Sequence, residues 1–241
     1  MKPEEVKLME TLVCIQEDSL FRVLKNYLSK HYNVVYADEG GDYIYAPGTI
    51  PVMLVAHMDT VFLKPPDELF YDKRKGVMLS LGGCGFDDRA GIFAIIKIIA
   101  KGYRPSVLFT NGEEDGCVGA QVFVSEFYEP VSKLKYIIQL DRRGENDCVF
   151  YDCDNPEFTA YICDNANFIK NYGSFSDISV LCPCWGIAGV NLSVGYFNEH
   201  TDKEVLYVNF LAATIRKVKD LLDKAKEAPY FSYERKFNNY V

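Results

Sequence analysis

Val52-Met53-Leu54-Val55-Ala56-His57-Met58-Asp59-Thr60-Val61 is the stretch from which the fold can be read. Its first five residues are apolar without alternation, which marks a strand buried on both faces, as in a parallel sheet covered by helices on each side. His57 follows immediately, where the chain leaves the strand. In open α/β sheets the crevice beyond the carboxyl ends of the strands is where sites are built, because loops there face solvent on a rigid scaffold. Asp59, two residues on, is placed to accept the second ring N–H of His57, fixing its tautomer and raising its basicity as a metal ligand.

Outward from this strand the same pattern repeats. Residues 4–31 carry apolar residues at helical spacing, as one broken helix or two, with Asp18 or Ser19 as the N-cap of the second part. Short β-type stretches follow at 33–36 and 43–45, split by Gly40-Gly41. Beyond the central strand, 91–100 reads as helix, 106–110 as strand, 119–127 as helix, 136–140 as another apolar strand and 189–194 as a further one. Residues 203–226 form a strongly amphipathic helix through Leu206, Phe210, Ile215, Val218 and Leu222. Strands alternating with helices predict an α/β fold, a three-layer α/β/α sandwich around a mixed, mainly parallel sheet. Nothing in the sequence marks a linker or repeat, so residues 1–241 are expected to form a single domain. From Tyr230 onward the tail is aromatic and basic and is expected to pack loosely.

The 241 residues are 49% hydrophobic and 25% charged, the balance of a globular protein with a real core. With 34 acidic against 26 basic residues the net charge is -8. That leaves no electropositive footprint for a phosphate backbone, so nucleic acid is excluded as a partner. No apolar run reaches the roughly 20 residues that cross a bilayer. The start, Met1-Lys2-Pro3-Glu4-Glu5, reads as an acidic helix rather than a signal peptide, so a cytoplasmic protein without membrane partners is expected. Eight scattered cysteines then read as free or buried thiols. The pair Cys182-Pro183-Cys184 lacks the second pair a structural zinc site needs.

Carboxylates recur where His57 sits. Gly82-Gly83-Cys84-Gly85 leads into Phe86-Asp87-Asp88-Arg89-Ala90-Gly91, with two acids at a helix start. The strand 106–110 runs into Asn111-Gly112-Glu113-Glu114-Asp115-Gly116, and 136–140 into Asp141. His200, in Tyr196-Phe197-Asn198-Glu199-His200-Thr201, again follows an expected strand. Any one acid alone would be a helix cap or a solvated loop charge. Together, successive strand ends deliver imidazole and carboxylate to one rim. Such acids would repel one another and protonate without cations between them. The ligand types suit zinc or a similar divalent ion, cobalt and manganese included, and there are enough for two.

In this order, His57-Met58-Asp59-Thr60-Val61, Gly85-Phe86-Asp87-Asp88-Arg89-Ala90-Gly91, Glu113-Glu114-Asp115-Gly116-Cys117-Val118-Gly119-Ala120, Asp141 and His200 resemble the co-catalytic di-zinc peptidase clan, its peptidase T-like and zinc aminopeptidase-like branches. The resemblance implies a zinc-exopeptidase-like fold and two divalent metal ions bridged by Asp87. His57 and Asp141 would complete one ion, and Glu114 and His200 the other. It implies Glu113 as general base, Asp59 behind His57, and a cis Asp87–Asp88 peptide. Many members insert a lid or dimerisation domain of about a hundred residues before the last histidine. Here Asp141 and His200 are only 59 positions apart, so that insert is expected to be missing. Ser174-Phe175-Ser176-Asp177-Ile178 is similar to the Ser-Asp loop of the lidless branch, which makes Ser176 and Asp177 candidate substrate contacts. Arg142 and Arg143 replace the small residues common after Asp141, as contacts for a substrate carboxylate or oxyanion, or as outward salt bridges.

The function this implies is a metal-dependent exopeptidase, of aminopeptidase or dipeptidase type, acting on short peptides. An N-acyl amino acid deacylase would use the same metals and base. A non-catalytic, metal-stabilised binding protein is the third reading, against which Glu113 stands, because a structural site needs no base beside its ligands.

Overall fold

The computed structural model describes residues 1–130 and 133–235. The chain opens with two helices, α1 (Pro3–Val13) and α2 (Glu17–Ser29). Pro3 opens the first with Glu4 and Glu5 in its first turn, and the Glu5 carboxylate accepts from the Lys2 backbone N–H at 2.8 Å. Gln16 caps the second helix without a side-chain bond, and Asp18 and Ser19 lie inside it. Strands β1 (Tyr36–Ala37), β2 (Tyr43–Ala46) and β3 (Ile50–His57) follow, then β4 (Phe70–Asp72) and β5 (Val77–Leu79). Helix α3 (Phe86–Ile99), β6 (Pro105–Thr110), α4 (Val118–Glu126), β7 (Tyr136–Arg142) and β8 (Asp147–Val149) come next. The rest is α5 (Pro156–Ala166), β9 (Ile169–Lys170), α6 (Ile178–Trp185), β10 (Gly189–Ser193), β11 (Tyr196–Phe197), β12 (Val205–Tyr207) and α7 (Val208–Asp223).

The main sheet has the order β1-β2-β6-β3-β7-β10-β8-β9. Its centre, β6-β3-β7-β10, is parallel, and the antiparallel pairs lie toward the edges. Alternation along β3 explains its unbroken hydrophobicity. Val52, Leu54 and Ala56 enter a core shared with α1, α2, α3, α5 and α7, whereas Met53 and Val55 enter a second core under α4 and α6. The three layers expected from the sequence are therefore present. Because β3 pairs in parallel with β6 on one side and β7 on the other, with Val55 level with both Leu108 and Gln139, all three strands deliver their carboxyl ends to one edge.

Three features depart from the sequence reading. Residues 205–207 are a strand rather than the first turn of the last helix, because Leu206 pairs with Met78 of β5 and Tyr196 of β11 in a second sheet, β11-β12-β5-β4. Helices α5 and α6 were not evident. The second is eight residues long and contains Pro183, which a helix interior rarely tolerates. The tail is not loose as far as it is described: Phe231 is buried, Ser232 bridges to Ile187, and Arg235 to Cys153. Positions 236–241 lie outside the described residues. All eight cysteines are free thiols, Cys182 buried and Cys184 exposed. Among the described residues, no helix is long and apolar enough to cross a membrane.

Candidate metal centre

The carboxyl ends of β3, β6 and β7 bring the sequence candidates together. His57 is the last residue of β3 and is 1% exposed. Its Nε2 lies 3.1 Å from Asp87 Oδ1 and 3.4 Å from Asp141 Oδ1. The other oxygen of Asp87, Oδ2, lies 3.1 Å from Nε2 of His200, which is itself 2.9 Å from Glu114 Oε1. Asp87 thus turns one oxygen to each of two groups, His57 with Asp141 and His200 with Glu114. In each, the potential ligand atoms lie within 4.8 Å of one another.

Each ligand is held from behind. Asp59 Oδ1 is 3.3 Å from His57 Nδ1, and Asp59 Oδ2 accepts from the Glu114 backbone N–H at 3.0 Å. Burial alone would raise the Asp59 pKa, but His57 and that N–H bring it down to about 2. Asp141 is anchored through Oδ2 by Ser176 Oγ at 2.8 Å, Gln139 Nε2 at 3.1 Å and Asn191 Nδ2 at 3.3 Å, so its Oδ1 is the oxygen turned toward His57. Asp88 is fully buried and faces away from the cavity, accepting from the N–H groups of His57 at 3.3 Å and Gly91 at 2.9 Å. The Asp87–Asp88 peptide is cis.

Without cations this arrangement is electrostatically unbalanced. Burial, then Asp87, pushes Glu114 up to about 7, and burial, then Asp141, pushes Glu113 up to about 9. Burial would lower His57, yet Asp141 and its other acidic neighbours raise it well above the ordinary range. The hydrogen bond to Asp87 carries His200 to about 9. Glu114 Oε1 is buried and, among the described residues, has no hydrogen-bond donor assigned to it, and the His200 ring nitrogen lies 2.9 Å away, so the two atoms sit side by side as two ligands of one cation would. An orphaned carboxylate oxygen beside imidazole nitrogens fits a divalent cation, and a mixed His and carboxylate donor set fits zinc. The residues present therefore fit the metals that the sequence implied.

A cavity of about 340 Å³ opens over this centre. Glu113, Glu114, Asp87, Asp141 and His200 line it, and so do Arg142 and Arg143. The two arginines differ. Arg143 is paired with Glu199 at 2.5 Å, whereas Arg142 donates Nη2 to the Tyr172 carbonyl at 3.2 Å and keeps a buried Nε that has no partner among the described residues. Ser176 and Asp177 lie under the cavity floor: Ser176 reaches Asp141, and Asp177, fully buried, accepts from Thr110 Oγ1 at 2.6 Å. Ser174 and Phe175 of the same loop line the cavity in their place. Gln139, Asn191 and Tyr196 were not anticipated. The first two are marked in the sequence by a polar side chain inside an otherwise apolar strand, Gln139 in β7 and Asn191 level with it in β10, whereas Tyr196, whose hydroxyl donates to the Asp141 carbonyl at 2.9 Å, carries no such mark.

The sequence model of peptidase family M28 matches residues 33–166. Among curated proteins none matches the chain. Its fold is similar to that of a tripeptidase from Staphylococcus aureus subsp. aureus Mu50, with a TM-score of 0.75 at 16% identity over 93% of this chain and 98% of that one. It is also similar to aminopeptidase PepT from Bacillus cereus ATCC 10987, with a TM-score of 0.71 at 16% identity over 92% and 98%. A TET aminopeptidase from the marine sediment archaeon Thaumarchaeota archaeon SCGC AB-539-E09 gives 0.70 at 15% identity over 92% and 97%.

Proposed function

The chain belongs to peptidase family M28, which makes it a metal-dependent exopeptidase, and from that premise we propose that it cleaves short peptides with Glu113 as general base over two divalent ions, most simply zinc. His57, Asp87 and Asp141 would hold one ion, and Asp87, Glu114 and His200 the other. The observation that carries this reading is Asp87, whose two oxygens each lie 3.1 Å from a different histidine. When bound, such cations supply Lewis acidity, acidifying water and polarising a carbonyl.

The chain's own residues do the rest. Glu113 lies on the cavity wall beside Asp87, Glu114 and Asp141. It accepts the proton of the attacking water and returns it to the departing amine, so the amide bond is exchanged for a carboxylate and an ammonium. Asp59 acts through His57 by fixing its ring. A cavity near 340 Å³ is at the small end of ligand sites, which fits one or two residues of peptide in direct contact. Arg142 lines the cavity, and its guanidinium suits a substrate carboxylate, a group that dipeptides and N-acyl amino acids share. We read residues 1–241 as one catalytic unit without a lid, and the eight free thiols fit a reducing compartment such as the cytoplasm.

The test is a panel of free dipeptides, their C-terminal amides, longer peptides and N-acetyl amino acids, each run with and without a chelator. Chelator-sensitive cleavage of the free dipeptides, weaker on the amides, is expected. Cleavage of N-acetyl amino acids alone would make the protein a deacylase, and cleavage that survives chelation would refute the site.

A further inference from the structure

Glu204 is 1% exposed and belongs to none of the motifs above. It ends the loop between β11 and β12, four residues after His200. Its carboxylate reaches across to the turn before α3. Oε2 accepts from the backbone N–H of Cys84 at 3.0 Å and of Gly85 at 2.6 Å, and Oε1 accepts from that of Asp87 at 3.0 Å. Gly85, at φ +65, gives the turn the left-handed step that precedes Asp87. Burial raises the Glu204 pKa, and among the described residues the opposing influences come from backbone N–H groups rather than from a cation. A charge so buried is tolerated only where hydrogen bonds satisfy it, and here three donors do so.

The loop it anchors is itself constrained. His200 has φ +62 and Asn198 φ +57, conformations that non-glycine residues hold only when their surroundings fix them. Within the loop Thr201 Oγ1 donates to the Asn198 carbonyl at 2.6 Å, and the Glu204 N–H to the Thr201 carbonyl at 3.2 Å. Glu204 is the point at which this loop is tied to the Asp87 turn.

We propose that Glu204 is a positioning residue for the metal centre, a buried clasp that sets the distance between Asp87 and His200 by gripping the backbone of the first and ending the loop of the second. The inference rests on the metal assignment made above. A glutamine cannot replace it. One carbonyl oxygen cannot serve three N–H groups divided between two positions, and its own amide N–H₂ would confront one of them. Asp87 belongs to both ligand groups and His200 to one, so loosening the clasp weakens both ions, and the one held by Glu114 and His200 more.

The test is titration of the metal-free protein with Co²⁺ at 20 °C, following visible absorption and competition with a chromophoric chelator, for wild type, Glu204→Gln and Glu204→Asp. Removing a partner behind a metal ligand typically costs about 10- to 100-fold in affinity, and a loss in that range is expected for Glu204→Gln at the weaker ion, with an altered Co²⁺ spectrum. Glu204→Asp keeps the charge one methylene short and is expected to fall between the two, at least about threefold below wild type; if the glutamine variant does not fold, it carries the test alone. A merely structural Glu204 would lower the melting temperature and leave the Co²⁺ affinities and spectrum of the folded protein unchanged, and that result overturns the proposal. Wild-type protein that binds no Co²⁺ would instead refute the metal assignment beneath it.

Discussion

Glu113→Gln keeps the volume and one hydrogen-bonding oxygen of the side chain and removes its capacity to take a proton. General acid–base catalysis contributes about 10²- to 10⁴-fold, equivalent to roughly 2.7–5.4 kcal/mol of barrier. The structure places the expected loss in the upper half of that range, because among the described residues no other acid lining the cavity is free to substitute. Asp87, Asp141 and Glu114 are engaged with histidines, Glu199 is paired with Arg143, and Asp177 is buried under the floor. The expected outcome is a fall of about 10³- to 10⁴-fold in kcat for a free dipeptide, with KM within about threefold and the metal content unchanged. Initial rates by chromatography of the released amino acid, with elemental analysis of the same preparation, measure all three. A loss under tenfold in metal-replete protein would show that another group takes the proton and would refute this part of the mechanism.

Asp59→Asn leaves His57 without its anionic partner at 3.3 Å, and metal affinity, read by chelator competition, should fall about 10- to 100-fold. Gly91→Ala places a Cβ 1.9 Å from the Leu140 carbonyl oxygen and 2.5 Å from Asp88 Oδ1. Overpacking against backbone should cost about 3 kcal/mol, read as a melting temperature roughly 6–12 °C lower by calorimetry. In the metal-free protein Glu114 is raised to about 7, Glu113 to about 9 and His200 to about 9. Each group binds its proton more tightly folded than unfolded, so stability falls as pH rises, from the unfolded carboxylate and imidazole values up to pH 9. Metal binding requires the deprotonated ligands and runs the other way, so the melting-temperature gap between chelated and metal-loaded protein should widen from pH 5.5 to pH 8. A gap that is constant or narrows would contradict this ligand set.

Sequence pattern captured the parts of this molecule that obey a period. The uniform run at 52–56 and the mostly apolar runs at 106–110 and 136–140 became β3, β6 and β7, since a strand covered on both faces has no polar face to alternate with. His57 and Asp141 were legible for the same reason, being the first polar residues after the runs 52–56 and 136–140, and Glu113 and Glu114 follow within four residues of β6. What escaped depends on pairing between distant segments. The three-residue strands β4, β5 and β12 are too short to show alternation, and Glu204 looked like the start of an amphipathic helix because its partners lie 117–120 positions away. Gln139 and Asn191 were visible as polar residues within apolar strands, but only the parallel register of β7 and β10 brings both to Asp141.

The central claim is that two overlapping ligand groups share Asp87, and metal stoichiometry tests it most directly. Metal-free protein titrated with Zn²⁺ by calorimetry should take up two ions per chain, the His200→Ala variant should retain one, and Asp87→Ala should lose both. A single ion in the wild type, or two ions undiminished in Asp87→Ala, would contradict the shared ligand and with it the mechanism built on it.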